Sequence, residues 1–320
     1  MKAFITGVGG FAGSHLADLL LSQGHEVSGL VQPGASTQNL RHLAGRIALH
    51  EGDLLDAGRI EGLMRAERPG WVFHLAAQSS VHASWKDPAA TFHANVTCGI
   101  RLLEACLPFR EGLRAVMVTS AEIYGMGSPA AVTREESPFA PLNPYAVSKL
   151  ALDLVAGQMA GAAGLALVRM RPTNHAGPRQ AVKTVLSRFA CELARIEAGL
   201  QEPVLRAGNL DAWRDFADVR DVVRAYALAA GRGRAGGGYL VCTGVPRRVG
   251  DALELLLGMS RVKVRVERDP ALERPADPPY GKASFARIEA DTGWRPEIPF
   301  ERTLRDTLDY WRGEVARKGE

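Results

Sequence analysis

The chain has 320 residues, of which 46% are hydrophobic and 23% are charged, as is ordinary for a soluble globular protein. Its formal net charge of +4 is spread along the chain. That excess suits a small anionic ligand, but it lacks the concentrated basic surface that nucleic-acid binding requires, so we predict no nucleic-acid partner. The length favours one large domain with a smaller appended lobe.

Cysteine usage and hydropathy predict the compartment. The four cysteines, Cys98, Cys106, Cys191 and Cys242, form no C-x-x-C pair. They are typical of buried thiols in a reducing compartment, with neither a metal site nor a disulfide framework. No apolar run is long enough to span a bilayer, and the N-terminus has no signal-peptide pattern. We therefore expect a cytoplasmic protein with no metal and no membrane partner.

The first half of the chain alternates short apolar runs with helical segments. Strands are predicted at residues 3–6, 27–31, 47–50, 72–75, 115–119 and 165–170. Helices are predicted at residues 11–22, 60–68, 92–107 and 145–162. This βαβ alternation predicts the α/β class with a doubly wound parallel sheet.

After residue 172 the pattern changes. Helices are predicted at residues 182–198, 218–230 and 251–257, with a solvent-facing helix at 300–317. Residues 239–243 read as a late strand that rejoins the sheet, and residues 268–282, rich in proline and charge, as an irregular loop over a site. We predict that residues 1–172, with returning segments near 215–245, form the sheet domain. Residues 173–320 would mainly form a smaller C-terminal substrate-binding lobe.

A glycine-rich turn, Gly7-x-x-Gly10-Phe11-Ala12-Gly13, lies between the first predicted strand and the first predicted helix. Glycines there allow backbone N–H groups to approach a pyrophosphate at the helix N-terminus. The alternative is an ordinary strand–helix turn, but the βαβ context agrees with a Rossmann-type cofactor site. We predict that these five residues contact a dinucleotide.

The end of the second strand bears on which dinucleotide binds. Gln32, Pro33 and Gly34 stand where a carboxylate usually grips a ribose without a 2′-phosphate. Its absence favours NADP(H), with NAD(H) possible, although no arginine replaces the acid at that spot. Arg41 could reach in, or it could be a surface residue. Asp53, followed by Leu54, could accept a hydrogen bond from the adenine amino group or cap a helix.

Two later strand ends carry small or polar residues. Leu75, Ala76 and Ala77 offer a flat surface to the cofactor, and Gln78 follows as a candidate substrate ligand. After the fifth strand, Ser120 could hydrogen-bond a substrate oxygen or be a turn serine. Glu122 could transfer protons or be an ordinary surface acid.

Tyr145 and Lys149 lie four residues apart in a predicted helix, so they share one helix face. Asn143 can cap that helix, and Pro144 suits its first turn. A phenol has a pKa of about 10, and a nearby ammonium would lower it. Such a pair occurs often by chance, but together with a dinucleotide turn it predicts hydride transfer at a carbon that bears oxygen.

These motifs together resemble the extended short-chain dehydrogenase/reductase superfamily of nucleotide-sugar enzymes over essentially the whole chain. The resemblance rests on the glycine turn, His74-Leu75-Ala76-Ala77, Ser120 and Tyr145-x-x-x-Lys149. Segments 171–180 and 208–216 are similar to the GDP-mannose branch. One departure is Thr173, where the family often has phenylalanine.

The resemblance implies further site residues. Pro172, Asn174 and His175 would lie at the cofactor, and Asn174 would also contact substrate. Asn209, Arg179 and Arg214 would bind the nucleotide sugar, with Arg214 at the diphosphate. A homodimer through a helix bundle near Leu102 and Leu152 is also implied.

The implied reaction is reduction of a GDP-linked 4-keto-6-deoxy sugar by NADPH, with Tyr145 as proton donor, Lys149 holding the tyrosine and ribose, and Ser120 orienting the oxygen. A rival is GDP-mannose 4,6-dehydratase, for which Glu122 would be the base. Phe11-Ala12 instead of Gln-Asp in the turn counts against that rival, as do the chain's shortness and the absence of paired arginines after the second strand. A nucleotide-sugar epimerase and a silent NADP-binding regulator are further alternatives.

Overall fold

A seven-stranded parallel sheet forms the centre of the computed structural model, which describes residues 1–125, 131–272 and 281–319. The strands are β1 (Lys2–Thr6), β2 (Glu26–Val31), β3 (Ala48–Glu51), β4 (Trp71–His74), β5 (Arg114–Val118), β6 (Val132–Thr133), β7 (Ala166–Pro172), β8 (Asn174–Ala176), β9 (Val204–Ala207), β10 (Trp213–Asp218), β11 (Gly238–Val241), β12 (Pro246–Arg248), β13 (Arg265–Arg268) and β14 (Lys282–Ala283). The central sheet has the order β11-β7-β5-β4-β1-β2-β3.

Helices cover both faces of this sheet. They are α1 (Phe11–Ser22), α2 (Ala57–Glu67), α3 (Val81–Lys86), α4 (Pro88–Phe92), α5 (Cys98–Cys106), α6 (Pro144–Ala163), α7 (Val185–Glu197), α8 (Val219–Arg232), α9 (Val249–Gly258), α10 (Ala286–Thr292) and α11 (Phe300–Gly319). The predicted α/β class with a doubly wound sheet is confirmed. The strand order reverses between β1 and β4, which is where such sheets bind ligands.

Each face of the sheet has its own apolar core. On one face, α1 and α8 bury Leu16 and Tyr226 against the strands. On the other, α2, α5 and α6 bury Met64, Leu102 and Leu152. Leu102 and Leu152 themselves lie inside this core, so a helix bundle formed by these helices would use other side chains, and the homodimer stays a prediction.

The sequence dictates the start of α6, which carries Tyr145 and Lys149. The Asn143 Oδ1 atom accepts a hydrogen bond from the Ala146 backbone N–H at 2.8 Å, and Pro144 occupies the first turn. Pro144 has no N–H to leave unpaired there, so the two residues fix where the helix begins. The position of Tyr145 relative to the end of β5 follows from that start.

The C-terminal lobe is built from α7, α9 and α11 around a third apolar core. The helix predicted at 300–317 is present, but it faces solvent on one side only, because its other side is buried. Leu304 and Leu308 of α11 are 1% and 0% exposed, and the Trp311 indole N–H donates to the Ser187 hydroxyl at 2.9 Å. Apolar residues spaced three or four apart form a stripe that faces α7, while charged residues occupy the remaining surface.

Three small sheets, β8-β10-β12, β9-β13 and β6-β14, were not predicted, because strands of two to six residues give too short a pattern. Strand β11 lies beside β7 at the edge of the central sheet.

Of the predicted loop at 268–282, residues 273–280 lie outside the described residues, and Lys282 belongs to β14. The domain division near residue 172 stays a prediction. In the described parts of the chain, no helix is long and apolar enough to cross a membrane.

The packing of α11 can be tested by Leu308→Ala. Truncating a fully buried leucine should lower the free energy of unfolding by about 2–5 kcal/mol, since it removes apolar burial and leaves a cavity. Thermal or urea unfolding would measure the loss. Arg305→Ala, at an exposed position on the same helix, is the matched control. Equal stability of the two variants would contradict the packed position of α11.

Candidate active site

The glycine turn is shaped by close backbone contacts that only glycine permits. Gly7 has φ +72°, and a Cβ atom there would lie 2.7 Å from the Ala76 nitrogen. A Cβ at Gly13 would lie 2.2 Å from the Gly7 carbonyl oxygen. The turn therefore brings β1, the start of α1 and the end of β4 into contact.

The start of α1 fits a pyrophosphate. Gly10 is the N-cap residue and has no side chain with which to cap the helix. The first N–H groups of an α-helix have no partner within the helix and attract anions. These features of the structure match what a dinucleotide needs, so the residues present are compatible with NAD(P)(H).

The end of β4 is tied to this turn. The Ala76 backbone N–H donates to the Thr6 hydroxyl at 3.4 Å, and that hydroxyl also pairs with His74 Nδ1 at 2.8 Å. Burial and the nearby Lys149 charge lower the pKa of His74 to about 3, so its imidazole is neutral. Residues 75–77 are thereby held against the glycine turn, where the sequence predicts that they contact the cofactor.

Gln78 is held by a polar cluster that the sequence did not reveal. Its backbone N–H donates to Asn95 Oδ1 at 2.8 Å, and Asn95 Nδ2 donates to the Ser148 hydroxyl at 2.9 Å. The Gln78 side-chain amide donates to Ser80 O and to the Thr91 hydroxyl. Asn95 is fully buried in the structure, but its sequence neighbours gave no signal of that burial. The role of Gln78 in substrate binding stays a prediction.

Tyr145 meets Ser120 and Glu122 at the end of β5. Burial raises the pKa of the Tyr145 phenol, the Glu122 carboxylate raises it further, and a hydrogen bond with Ser120 partly opposes them. Without ligands, Tyr145 is therefore a protonated phenol at neutral pH. The expected lowering of its pKa by Lys149 is not what the structure shows.

Lys149 points to the backbone at the end of β5. Its Nζ donates to the Val118 carbonyl oxygen at 3.1 Å, and burial lowers its pKa to about 8. The side chain is only 3% exposed. It is thus a buried ammonium at neutral pH, held at the end of β5 two residues before Ser120.

Asn143 does two things at once. While its Oδ1 caps α6, its Nδ2 donates to the Glu122 carboxylate at 3.2 Å. This amide fixes Glu122 on the side of Tyr145. Asn143 was predicted only as a cap, and its contact with Glu122 depends on the turn that follows β5, which the sequence does not specify.

Strand β8, which follows β7 after one residue, lies beside the glycine turn. The His175 ring stacks on Phe11 with centroids 5.6 Å apart, and burial lowers the pKa of His175. Asn174 is exposed, and Thr173 donates to the buried Asp215 carboxylate at 3.4 Å. The segment that the sequence assigned to both cofactor and substrate therefore lies beside the predicted pyrophosphate turn.

Arg179 lies against α1. Its guanidinium donates to Asp18 at 2.7 Å and approaches His42 Nε2 at 3.1 Å, and its φ of +70° is unusual for a side chain with a Cβ. Its predicted role at a diphosphate would require release from Asp18, and it stays a prediction.

The other predicted ligands make local contacts. Arg214 donates to Trp213 O at 2.6 Å and lies opposite Arg247 in the β10–β12 pair, and Asn209 accepts from the Asp211 backbone N–H. Asp53 accepts from the Leu55 N–H at 2.9 Å, whereas Asp56 caps α2.

Within residues 1–125, 131–272 and 281–319, no group of His, Cys, Asp or Glu is arranged to hold a metal ion.

A glycine turn at a sheet switch point, together with a Ser–Tyr–Lys constellation where α6 meets the end of β5, defines a dinucleotide-dependent oxidoreductase of the short-chain type. The family described as GDP-mannose 4,6 dehydratase matches residues 4–307, and the chain belongs to this family.

Individual relatives agree over nearly the whole length. GDP-6-deoxy-D-mannose reductase of Pseudomonas aeruginosa is 34% identical, with 99% of each chain covered. The structure of RMD from Pseudomonas aeruginosa complexed with NADPH has a TM-score of 0.86 at 33% identity, covering 98% of this chain and 99% of that one. Thermus thermophilus UDP-glucose 4-epimerase in complex with NAD also has a TM-score of 0.86, at 32% identity and with 98% and 99% coverage.

The lowered pKa of Lys149 predicts a pH dependence. As pH rises through about 8, the ammonium loses its proton, and with it the charge that the family resemblance predicts for holding the cofactor ribose and the tyrosine. Because kcat/KM reports the free enzyme, kcat/KM for NADPH should be level at neutral pH and fall above about pH 8. Initial rates across pH would measure it.

Lys149→Arg is the control for this pH dependence. A guanidinium keeps its charge throughout the range, so any residual activity of that variant should lose the decline. A decline that persists unchanged in the variant would assign it to another group.

Proposed function

We propose that this protein is an NADPH-dependent reductase that converts a GDP-linked 4-keto-6-deoxy-mannose into a GDP-6-deoxyhexose such as GDP-D-rhamnose. The observation that carries the proposal is a Tyr145 phenol that burial and Glu122 keep protonated beside Ser120. A reductase needs its tyrosine in that protonation state. The similarity to a reductase of GDP-6-deoxy-D-mannose over the full chain supports the same substrate class.

The chain's own residues supply placement and a proton. NADPH, when bound, supplies a hydride to C4 of the sugar. Ser120 orients the carbonyl oxygen by a hydrogen bond, and Tyr145 gives its proton to that oxygen as negative charge develops there. The Lys149 ammonium stabilises the tyrosinate that remains. The glycine turn and residues 75–77 place the cofactor.

The cofactor preference has two supports. The end of β2 carries no carboxylate that would favour a free 2′-hydroxyl. The Pseudomonas structure contains NADPH, while the epimerase from Thermus contains NAD. NADP(H) is therefore the favoured cofactor, and NAD(H) stays possible.

GDP-mannose 4,6-dehydratase is the second candidate, because Glu122 lies by Tyr145 and could act as the base that removes a C5 proton. The family description also carries that name. The similarity to the Thermus UDP-glucose 4-epimerase keeps an epimerase as a weaker alternative. The silent cofactor-binding regulator has no observation of its own in its favour.

Association and location are further proposals. Trp85, Val147 and Leu154 are large apolar side chains that are 63%, 40% and 48% exposed, and the last two lie on α6. Such side chains support a homodimer in which α6 takes part. A cytoplasmic location is supported by the cysteines, none of which is paired in a disulfide in the described chain.

Tyr145→Phe tests the proton donor. Removing only the hydroxyl should leave folding and NADPH binding intact, while turnover of the keto sugar falls about 10²–10⁴-fold. Oxidation of NADPH and mass-resolved product analysis would follow the reaction, and cofactor titration would serve as the folding control. Near-normal turnover would exclude Tyr145 as the donor.

Glu122→Gln separates reductase from dehydratase. A reductase consumes one NADPH per product and needs no base at C5, so the variant should lose only an orienting hydrogen bond, about 0.5–1.5 kcal/mol. A dehydratase would convert GDP-mannose without net loss of cofactor and would lose that activity in the variant. The measurement is product analysis with GDP-mannose and with its 4-keto-6-deoxy derivative, each with and without NADPH.

A further inference from the structure

A cavity of about 430 Å³, lined by polar and charged residues, lies between the segment after β2 and the end of the C-terminal helix α11. It is lined by Ser36, Thr37, Gln38, Arg41, Glu314 and Arg317. Two of these side chains are guanidinium groups, and they come from elements far apart in sequence. Four of the lining residues thus come from the segment after β2 and two come from the C-terminal helix.

The cavity adjoins the cofactor turn. Asn39 Nδ2 donates to the Gly9 carbonyl oxygen at 3.3 Å, and a Cβ at Gly9 would lie 3.2 Å both from Ser36 O and from a Val31 methyl group. Gly9 is inside the glycine turn, and Val31 ends β2. In dinucleotide sites of this topology, the adenosine ribose lies at that strand end. Ser36 and its neighbours therefore stand beside the expected ribose.

The charges in the cavity are arranged around one buried acid. Glu314 is 5% exposed, accepts from Gln38 Nε2 at 3.0 Å, and forms an ion pair with Arg317. Arg41 approaches the same carboxylate at 3.9 Å. The side chains of Arg41 and Arg317 are 62% and 60% exposed, so they can turn within the cavity.

We propose that this cavity receives the 2′-phosphate of the cofactor, so that Arg41 and Arg317 determine the preference for NADPH. The inference rests on the proposed function, which it deepens. The guanidinium group of arginine matches phosphate oxygens in geometry and charge, and the Ser36 and Thr37 hydroxyls add hydrogen-bond donors. The C-terminal helix thereby supplies the cationic group that is absent directly after β2.

Glu314 opposes the phosphate. Its carboxylate holds both arginines in the absence of an anion, and it repels a 2′-phosphate that comes to the same groups. The arginines and the acid should therefore have opposite effects on the same ligand. A purely structural ion pair would not produce that result, since breaking it from either side would act in the same direction.

The test measures binding of adenosine 2′,5′-bisphosphate and adenosine 5′-monophosphate to the whole protein by calorimetry. Arg317→Ala and Arg41→Ala should each weaken the bisphosphate about tenfold or more, because each removes a charged hydrogen bond, and should leave the monophosphate within about twofold. Glu314→Gln should tighten the bisphosphate. Arg305→Ala, an exposed arginine on the same helix, is the control and should change neither.

Equal weakening of both nucleotides in the arginine variants, or no change, would overturn the inference. So would weaker bisphosphate binding in Glu314→Gln, or a loss of monophosphate binding there, which would make Glu314 a ligand of the 2′-hydroxyl. Inorganic phosphate, titrated alone, should bind far more weakly than the bisphosphate; equal binding would assign the cavity to free anions. No sugar substrate enters these titrations, so their outcome is independent of the reductase assay.

Discussion

The carboxylate of Asp153 organises the catalytic face, because three elements meet at it. It is fully buried on α6 and accepts from Arg171 Nε at 2.9 Å and Nη2 at 2.7 Å, and from the Thr119 hydroxyl at 3.0 Å. Removing one partner from a buried pair of this kind costs about 3–5 kcal/mol, since a charge is left uncompensated. The pair therefore fixes α6 against the ends of β5 and β7.

This arrangement determines where the reacting groups stand. Asp153 lies one turn after Lys149 on α6, and Thr119 directly precedes Ser120. Lys149 donates a hydrogen bond to the Val118 carbonyl oxygen, and Asp153 accepts one from the Thr119 hydroxyl. Helix α6 is therefore bonded to two consecutive residues at the end of β5. The geometry of Tyr145, Lys149 and Ser120 is consequently a property of the α6–β5 contact more than of any loop. Such support from rigid elements is what precise catalysis requires.

The sequence was sufficient for those parts of the structure that follow from local pattern. Parallel strands such as β1 are continuous apolar runs, and the Asn143–Pro144 start of α6 is fixed by capping chemistry. What it could not provide depends on long-range partners. The ion pair of Arg179 with Asp18 joins residues 161 positions apart. The burial of α11 depends on α7, which lies more than a hundred residues earlier.

The pKa values of Tyr145 and Lys149 were what the sequence predicted least well, because they depend on burial. Spacing on a helix predicts that Lys149 is near, but it does not reveal the depth of burial or the carbonyl that captures the ammonium. In the structure burial dominates, so the phenol pKa is raised and the lysine pKa is lowered. Both shifts favour the less charged form of each group. In this state the tyrosine carries the proton that reduction of a carbonyl consumes. Because a raised pKa also makes the phenol a weaker acid, its proton would move only as hydride transfer places negative charge on the carbonyl oxygen. The hydrogen bond with Ser120, which lowers the phenol pKa, favours that proton transfer.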